Sequence, residues 1–498
     1  MKRNQLLNYL LVLIWCVQLV VEGLVAWRIW QLDMLPTKYA AVALAALFFM
    51  WMLVGLLIFF GRAGKRSGNT LRCLACVLSA MVVLGCAVGT ALIADLQNTL
   101  HQITNPTPSG VTMSVYVLKD DPAQTLEDAK NYKFAYVQSY EQTRTQQVLT
   151  TVETHTGQAI NTQQYLSVED MVKALYQKEV GAIILNNGYV PILEETEAFA
   201  DFYGKVRVLY EVVINEKQPT LPNRPTNTDQ NITNTPFIMY LSGSDTRYDT
   251  LRTSRSDVNI LVVVNPVTKQ VLLLNTPRDT YVANPAGDGI KDKLTHCGLY
   301  GTNCSAQALE QLYDLQVDYQ AQINFTGFKT LIDAIGGITV YSDYAFNAGK
   351  GTAYVVIGEN HFNGTQALAF ARERTTAGGD KNRGKNQMRV ISAVIEKMTS
   401  STTLIANYSD ILSSLQGMFT ITMDSEEIGS LVKMQLSDMA GWNVQSYAIT
   451  GTGGMDVTYS MPGLYTYVMY PDMDTVSKAS ALVEKVMAGG ILTPEDVK

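Results

Sequence analysis

Three long apolar runs open the chain, and shorter alternating segments follow them. Residues 6–30, 39–61 and 71–94 are each long enough to cross a bilayer, which takes roughly 20 residues. The second run contains no charged residue. A cleaved signal peptide would have a shorter apolar region and no further spans. The pattern therefore predicts three transmembrane helices within residues 1–95.

Basic residues set the expected orientation of these helices. Lys2 and Arg3 precede the first run, and the loop before the third run is more basic than the loop before the second, with Arg62, Lys65, Arg66 and Arg72. Lys and Arg are enriched in cytoplasmic loops. We therefore expect a multi-pass protein of the cell membrane with a cytoplasmic N-terminus. Three crossings would leave everything after Ala94 outside the cytoplasm.

The next part of the chain predicts a small accessory domain between two linkers. Residues 96–110 form a polar stalk, and residues 216–236 form a linker rich in Pro, Thr and Asn. Between them, residues 111–215 alternate strand-like and helix-like segments, which predicts an α/β domain. Ser167 is an expected N-cap, and the segment PILEETEAFADFYGK is predicted to be one helix. Since this domain has no phosphate loop and no metal-ligand spacing, we interpret it as a spacer or docking module.

Residues 237–498 predict the main domain. Strand-like runs at 237–241, 259–265, 271–275 and 319–325 alternate with helical patterns, which indicates an α/β/α sandwich. Thr326 and Thr365 are the expected N-caps of two of these helices. Residues 401–498 are expected to complete the domain. Because ligands of such folds gather where strands end, the charged residues that follow the apolar runs are the candidate site.

Charge distinguishes the membrane part from the rest. Residues 1–95 carry eight basic and three acidic side chains, so the remainder has a formal charge of −12 within a total of −7. An acidic domain argues against a general nucleic-acid surface, which needs a basic face. A local cluster of arginines within it favours a specific anionic ligand.

The six cysteines predict no metal centre. Cys73 and Cys76 form a lone C-x-x-C at the start of an apolar run, without the partner pair that zinc requires. Cys297 and Cys304 flank a Gly-rich turn. If this part lies outside the cell, they can form a local disulfide or remain two free thiols, and the sequence leaves both alternatives open.

Five charged segments carry the candidate chemistry: LSGSDTR, RSDVNILVVVN, LLLNTPRDTYV, FARERT and GGDKNRGKNQ. Arginine binds phosphate with two parallel hydrogen bonds, and a hard cation on carboxylates bridges phosphate oxygens. Phosphoryl transfer needs both kinds of charge neutralisation. Arg372 and Arg374 are two positions apart and cannot face one way on a regular helix. We therefore expect them at the end of a helix, where both can turn inward.

The order of these motifs resembles that of the LytR-CpsA-Psr family. The matching segments are GSDTR, RSD, PRDTY, KLTH, GENHFNGTQALAFARER and GDKNRGKNQ, within residues 237–400. Three spans and an accessory domain resemble the CpsA (Wzg) branch of capsule clusters. The resemblance implies a phosphotransferase of Gram-positive walls. Such an enzyme attaches a glycopolymer, here capsular polysaccharide or a similar polymer, from a polyprenyl-pyrophosphate carrier to a peptidoglycan hydroxyl through a phosphodiester bond, with Mg²⁺ or Mn²⁺.

The resemblance also assigns residues. Asp245 and Asp257 match the metal-binding carboxylates, and Arg278, Asp279 and Arg374 are the expected catalytic residues. The expected pyrophosphate-binding residues are Arg255, Arg278, Arg372, Arg374, Arg383 and Gln387. Asn386 stands where many relatives have Arg, which puts one head-group contact in question.

Several roles stay open at this point. Asp279 is either the base for the incoming hydroxyl or an orienter of Arg278, and His296 is either a base or a turn-stabilising residue. An apolar stripe is either a slot for the lipid tail or ordinary core, and it comprises Phe325, Phe328, Leu331 and Ile335.

Two other functions compete with the transferase. One is a non-enzymatic module that binds lipid-linked polymer and regulates or scaffolds capsule synthesis. The other is a hydrolase of the same pyrophosphate lipid, with water as acceptor. Carboxylates at Asp245 and Asp257 would repel a pyrophosphate without a metal ion, and this favours catalysis.

Overall fold

The computed structural model describes residues 3–32, 34–61, 66–104, 110–137, 141–215, 231–244, 250–374, 379–400 and 411–498. The helices discussed below are α1 (Arg3–Leu32), α2 (Thr37–Phe60), α3 (Arg66–Thr104), α4 (Gln142–Thr156), α5 (Val168–Tyr176), α6 (Val190–Leu193), α7 (Phe202–Lys205), α8 (Leu294–Cys297), α9 (Thr302–Tyr313), α10 (Phe325–Ala334), α11 (Gly364–Ala371), α12 (Gly379–Thr399), α13 (Ser425–Asp438) and α14 (Met473–Met487). The strands are β1 (Gly110–Leu118), β2 (Lys133–Val137), β3 (Asn161–Tyr165), β4 (Ala182–Asn186), β5 (Val206–Asn215), β6 (Phe237–Ser244), β7 (Ser256–Asn265), β8 (Gln270–Asn275), β9 (Tyr281–Ala283), β10 (Lys291–Lys293), β11 (Tyr319–Asn324), β12 (Ile338–Ser342), β13 (Phe346–Ala348), β14 (Ala353–Val355), β15 (Gly358–Phe362), β16 (Phe419–Ile421), β17 (Asn443–Ala448), β18 (Gly451–Thr458) and β19 (Met461–Pro471).

The first three helices are long and apolar enough to cross a membrane. The qualifying segments are Leu7–Gln31, Thr37–Phe60 and Gly68–Thr104. Their large side chains are mostly exposed in the isolated chain, as expected of surfaces that face lipid. The prediction of three apolar N-terminal helices is confirmed.

Helix α3 continues beyond its apolar part and docks on the rest of the molecule. Leu100 and Ile103 form a buried cluster with Met34 from the α1–α2 loop and Leu412, and Leu96 packs against it. Residues 96–104 belong to α3. The prediction of a polar stalk is therefore wrong for these residues. Leu96, Leu100 and Ile103 recur at helical spacing and supply the apolar stripe that composition alone conceals.

Residues 110–215, the accessory unit, form a five-stranded sheet in the order β3-β2-β4-β1-β5. Ser167 caps α5 as predicted, because its hydroxyl accepts a hydrogen bond from the Asp170 amide at 3.1 Å. The single helix expected for PILEETEAFADFYGK is wrong. The segment contains the end of α6, a turn, a 3₁₀ turn at Glu197–Phe199, and α7. Residues at the turn after α6 are therefore free to project away from the accessory unit.

Residues 237–498, the main unit, contain a six-stranded sheet in the order β16-β11-β6-β7-β8-β17. One face of β7 and β8 packs on α9 and α14 through Leu261, Val263 and Leu272. The opposite face packs on α12 and α13 through Ile260 and Val262. Burial on both sides explains the continuous apolar run in β7 and confirms the predicted α/β/α architecture. β17 completes the sheet from the C-terminal part, as expected.

Strand direction brings the charged motifs to one edge of this sheet. β6 and β8 both run antiparallel to β7, and β11 runs parallel to β6. The ends of β6, β8 and β11 therefore lie beside the beginning of β7. Arg255 and Asp257 lie at the beginning of β7, and Arg278 follows β8. These motifs meet because the sheet is mixed, and not because all of them end a strand.

The accessory and main units share a buried interface. Leu299 and Met461 of the main unit belong to the same apolar cluster as Tyr189 and Phe202 of the accessory unit. A chain of polar contacts crosses it, since the Tyr189 hydroxyl lies 3.2 Å from that of Tyr300, and Tyr300 lies 3.1 Å from Ser460. The two units are thus held together by apolar packing and by hydrogen bonds.

The polar chain ends on Asp292, which is fully buried. Its carboxylate accepts hydrogen bonds from the Ser460 hydroxyl at 2.5 Å and from Asn284 at 3.1 Å, and it pairs with His296 Nδ1 at 2.7 Å. His296 is likewise fully buried. Its position favours the structural alternative over the role of a base.

Cys297 and Cys304 are free, buried thiols in this structure. The thiol of Cys304 donates to Asn284 Oδ1 at 3.3 Å. The pKa of the Cys297 thiol is raised, chiefly by its hydrogen bond with Cys304 and next by its burial. The sequence left open whether Cys297 and Cys304 form a disulfide or remain free thiols, and in the structure they are free thiols.

Helices α10 and α11 approach closely beside the sheet edge. Gly364 makes this possible, because a Cβ added there would lie 2.1 Å from the carbonyl oxygen of Lys329. The predicted caps Thr326 and Thr365 are wrong. Asn324 and Asn363 cap these helices, accepting from Gly327 N at 2.7 Å and Gln366 N at 2.9 Å. Asn caps at least as well as Thr, and each helix begins earlier than expected.

Gly364→Ala should therefore destabilise the protein by about 1–3 kcal/mol, because the added methyl group forces α11 away from backbone that cannot yield. The measurement is the thermal unfolding midpoint of the full-length protein in detergent. Gly441→Ala is the control, since its added Cβ meets no heavy atom within 4 Å. An unchanged midpoint for Gly364→Ala would contradict the close packing of α10 and α11.

Candidate functional site

A cleft of about 1060 Å³ lies at the sheet edge where the charged motifs meet. β6, β7 and β11 form its floor, α10, α11 and α12 form one wall, and the accessory unit reaches it through the turn after α6. Its charged lining residues are Glu194, Glu195, Arg255, Asp257, Arg278, Lys329, Lys350, Arg372, Glu373, Arg374 and Arg383.

Arg278 lies at the centre of an ion-pair network in this cleft. Its Nη1 donates to Asp257 Oδ1 at 2.9 Å, and its Nε lies 3.6 Å from Asp279. Asp279 also lies 3.5 Å from the ammonium of Lys293. Because Asp279 is paired on two sides and does not line the cleft, its position favours an orienter of Arg278 over a base.

Glu195 of the accessory unit completes the network from the other side. Its Oε1 lies 2.6 Å from Arg255 Nη1 and 3.6 Å from Arg278 Nη2, and its Oε2 lies 3.8 Å from Lys293 Nζ. Arg255, Arg278 and Lys293 are buried in the main unit. Three cations of the main unit therefore share one carboxylate of the accessory unit.

The pKa shifts follow from this arrangement. Burial raises the pKa of Asp257, but Arg278 and Arg255 outweigh it, and the net shift is downward. Burial lowers the pKa of Arg278, and Asp257, Asp279 and Glu195 raise it by more. Asp257 and Arg278 are therefore both charged near neutral pH, so the cleft offers fixed charges of both signs to a ligand.

The remaining predicted residues lie at the end of α11 and along α12. Arg372 is the C-terminal cap of α11, and its guanidinium lies 4.5 Å from the centre of the Phe325 ring. Arg374 follows the helix, and Arg383 and Gln387 line the cleft from α12. The expectation that both arginines lie at the end of a helix is confirmed. Because the regular backbone stops at Ala371, Arg372 and Arg374 both reach the same cleft.

Helix α12 approaches the end of β8 at Gly384. A Cβ there would lie 2.5 Å from Nδ2 of Asn275, so glycine allows Arg383 to lie near the sheet edge. Asn386 is buried and donates to the carbonyl oxygen of Phe370 at 3.2 Å. It ties α12 to α11, and it does not line the cleft.

One side of the cleft is apolar. Phe325 and Phe328 line it, together with Leu368, Val390 and Ile391. Leu331 and Ile335 instead contact the core between α10, α11 and α12. The predicted lipid stripe is thus divided along α10: Phe325 and Phe328 at its N-terminal end reach the cleft, whereas Leu331 and Ile335 lie further along the helix and pack in the core.

A metal ion would find oxygen ligands here. Mg²⁺ is usually held by one or two carboxylates together with phosphate and water oxygens, and Asp257 offers such a carboxylate at the cleft. Among the described residues, no group of three or more His, Cys, Asp or Glu is placed to hold a metal alone. Asp245, the other predicted ligand, lies outside the described residues.

Two residues of the network were missed by sequence reasoning. Lys293 belongs to the KLTH motif, but no role was assigned to it. Glu195 lies in the segment assigned to a helix without a site. Its contact with Arg255 joins residues 60 positions apart, and no local pattern signals it. The broken helix does leave a trace, since the acidic pair Glu194–Glu195 interrupts the apolar spacing.

The described residues thus form an α/β protein with three long apolar N-terminal helices and a cleft that combines arginines with an apolar wall. The family comparison makes this specific. The LytR_cpsA_psr family model matches residues 204–479, more than half of the chain, and the chain belongs to this family. The resemblance noted in the motifs is confirmed.

Individual relatives agree with this assignment. TagU of Enterococcus faecalis, a polyisoprenyl-teichoic acid–peptidoglycan teichoic acid transferase, is 29% identical over 274 residues, which cover 52% of this chain and 88% of that protein. TagT of Bacillus subtilis, a transferase of the same description, is 36% identical over 189 residues, 36% of this chain and 58% of that protein.

Two solved structures are also similar. TagT bound to LIIa-WTA is 26% identical, with a TM-score of 0.42, and the match covers 52% of this chain and 92% of that one. TagV of B. subtilis is 26% identical, with a TM-score of 0.43, over 52% of this chain and 99% of that one.

Proposed function

We propose that this protein is an extracytoplasmic phosphotransferase that attaches a glycopolymer from a polyprenyl-pyrophosphate carrier to peptidoglycan through a phosphodiester bond. The observation that carries the proposal is the cleft itself. It combines four arginines with an apolar wall, and the arginines are Arg255, Arg278, Arg374 and Arg383. A pyrophosphate attached to a hydrocarbon chain requires both features. The family relatives named as teichoic acid transferases support the same reaction class.

The apolar side of the cleft lies near the C-terminal end of helix α3, the third of the apolar helices. Ile323 of β11 lines the cleft, and its antiparallel partner is Phe419 of β16. Phe419 also packs against the cluster that contains Leu100 and Ile103 of α3. A lipid that leaves the membrane along the anchor would therefore meet the apolar wall first and the arginines second.

The proposed reaction exchanges one phosphorus–oxygen bond for another. The acceptor hydroxyl oxygen attacks the phosphorus that carries the glycan, the bond to the bridging oxygen breaks, and polyprenyl phosphate leaves. The hydroxyl proton passes to water. The arginines neutralise negative charge on the phosphate oxygens, and Asp279 keeps the Arg278 guanidinium oriented.

Asp257 and Asp245 would hold Mg²⁺ or Mn²⁺, which would supply further positive charge to the phosphate oxygens.

The finer assignments belong to the same proposal. The three spans and the accessory unit support a member of the capsule branch in a Gram-positive wall, acting on capsular polysaccharide. The distribution of Lys and Arg supports a cytoplasmic N-terminus and an external cleft.

The test uses the full-length protein in detergent with a polyprenyl-pyrophosphate oligosaccharide, Mg²⁺ and peptidoglycan fragments, followed by mass spectrometry. We expect a phosphodiester-linked adduct that Arg374→Ala reduces at least about 100-fold, because a charge contact made in the transition state is lost. Arg389→Ala is the matched control, since Arg389 lies on α12 but pairs with Asp343 outside the cleft.

The products distinguish the rival functions. Polyprenyl phosphate without an adduct would indicate a hydrolase. Intact lipid that remains bound to the protein would indicate a regulator or scaffold of the synthesis machinery. An adduct that Arg374→Ala leaves unchanged would reject the cleft as the site of transfer.

A further inference from the structure

The accessory unit contributes a charged side chain to the main unit's cleft. Glu195 projects from the turn after α6 and lies within 4 Å of three cations: Arg255, Arg278 and Lys293. Its neighbours Pro191 and Glu194 line the same cleft. The accessory unit is therefore part of the wall of the site, which corrects its interpretation as a spacer or docking module only.

The position of Glu195 is fixed by packing. Val190, Ile192 and Leu193 of α6 are buried, and Phe199 anchors the segment on the other side of the turn. Tyr189, just before α6, contacts Tyr300 of the main unit at 3.2 Å. The turn is thus held between the accessory core and the interface, and both units determine where the carboxylate lies.

Exposure shows which side of the network faces a ligand. The side chains of Arg255 and Lys293 are 8% and 4% exposed, whereas that of Glu195 is 39% exposed. The carboxylate therefore lies on the open side of buried cations. A phosphate that approaches Arg255 from the cleft meets a like charge that is already paired with the same guanidinium.

The charge of Glu195 persists at neutral pH. Burial raises its pKa, but Arg255, Lys293 and Arg278 together outweigh burial, and the net shift is downward. A fixed negative charge beside an anion site weakens anion binding, and it does so most strongly where water is largely excluded. Binding of substrate and binding of the departing lipid phosphate are affected alike.

On the basis of the proposed transferase function, we propose that the charge of Glu195 is the means by which the accessory unit limits the affinity of the arginine cluster for phosphorylated ligands, so that the polyprenyl phosphate product leaves. The accessory unit then sets the turnover of the main unit. This role requires the two units to be docked.

The sign of the effect separates this role from a structural one. Glu195→Gln keeps the volume and one acceptor oxygen but removes the charge. We expect it to bind inorganic pyrophosphate at least tenfold more tightly, equivalent to about 1.4 kcal/mol. In the transfer reaction, both KM and kcat should fall, since product release becomes slower. If Glu195 only ordered the arginines, its loss would weaken binding and raise KM.

The experiment is calorimetric titration of inorganic pyrophosphate, with Mg²⁺ present, into the full-length protein in detergent. Glu197→Gln is the matched control, because it removes the same charge from an exposed neighbour that does not line the cleft. Glu195→Asp keeps the charge and should restore near-wild-type affinity. Adding Arg278→Lys to Glu195→Gln should remove most of the gain, because lysine keeps the charge beside Asp257 but lacks the fork that binds phosphate, and this would locate the gain in the cleft.

Each outcome decides between the proposals. Tighter binding by Glu195→Gln alone supports the role of Glu195. Equal or weaker binding overturns that role and leaves the proposed transferase intact, since the arginines would still bind pyrophosphate. If neither the wild type nor any variant binds pyrophosphate, the phosphate site itself is rejected, and both proposals fall.

Discussion

Arg278→Ala should reduce formation of the peptidoglycan adduct at least about 1000-fold, the largest effect on activity that we expect from any single substitution. Arginines that neutralise charge in phosphoryl transfer contribute about this much. Arg278 also organises the cleft, because it contacts Asp257 at 2.9 Å and lies 3.6 Å from both Asp279 and Glu195. Rates of adduct formation by mass spectrometry measure the loss.

A loss of folding must be distinguished from this loss of chemistry. Removing Arg278 leaves the Asp257 carboxylate without its closest cation, and such a buried charge costs about 3–5 kcal/mol. Arg278→Lys keeps the charge without the planar fork that binds phosphate, so it should fold while retaining only a small part of the activity. Wild-type activity in a folded Arg278→Lys variant would show that the fork is not needed.

Asp292→Ala should give the largest loss of stability, about 3–5 kcal/mol. The carboxylate is fully buried, and its partners Ser460, Asn284 and His296 would each lose an acceptor. Because the same network continues through Tyr300 to Tyr189, the loss extends to the interface between the two units. Thermal unfolding of the full-length protein measures it.

The control for this substitution lies four residues away. Asp288→Asn removes a carboxylate from an exposed position in a left-handed turn conformation that asparagine accepts readily. Its unfolding midpoint should match that of the wild type. Equal midpoints for Asp288→Asn and Asp292→Ala would mean that the buried network does not stabilise the interface.

The sequence predicted the charged edge of the sheet because each motif adjoins an apolar run. Ile260 and Val262 alternate with Leu261 and Val263 between two buried faces, and such a run indicates a central strand without any tertiary information. Arg372 and Arg374 were also predictable, since two-residue spacing conflicts with the helical period. Local patterns were sufficient wherever the chemistry followed directly from a strand or helix end.

Contacts between distant segments were not predictable in the same way. Glu195 and Arg255 meet because two different sheets of the chain pack against each other through a shared interface. No local pattern near either residue in the sequence predicts that contact. The predicted starts of two helices, α10 and α11, were wrong for a local reason. Threonine caps helices well in general, but Asn324 and Asn363 stand two residues before Thr326 and Thr365 and already accept from Gly327 N and Gln366 N. The choice between two nearby caps depends on the preceding strand or turn.

The docking of α3 on the main unit has a geometric consequence. The helix has 39 residues, about 58 Å at 1.5 Å per residue, and a bilayer core accounts for about 30 Å of this length. With the helix in a bilayer, the remaining turns form a rigid spacer, because Leu100 and Ile103 are packed against the unit that they support. The cleft is then kept at a constant height over the lipid surface. For the proposed transferase, this means that it would meet its lipid-linked substrate by diffusion in two dimensions and would reach only acceptors within a thin layer above the membrane.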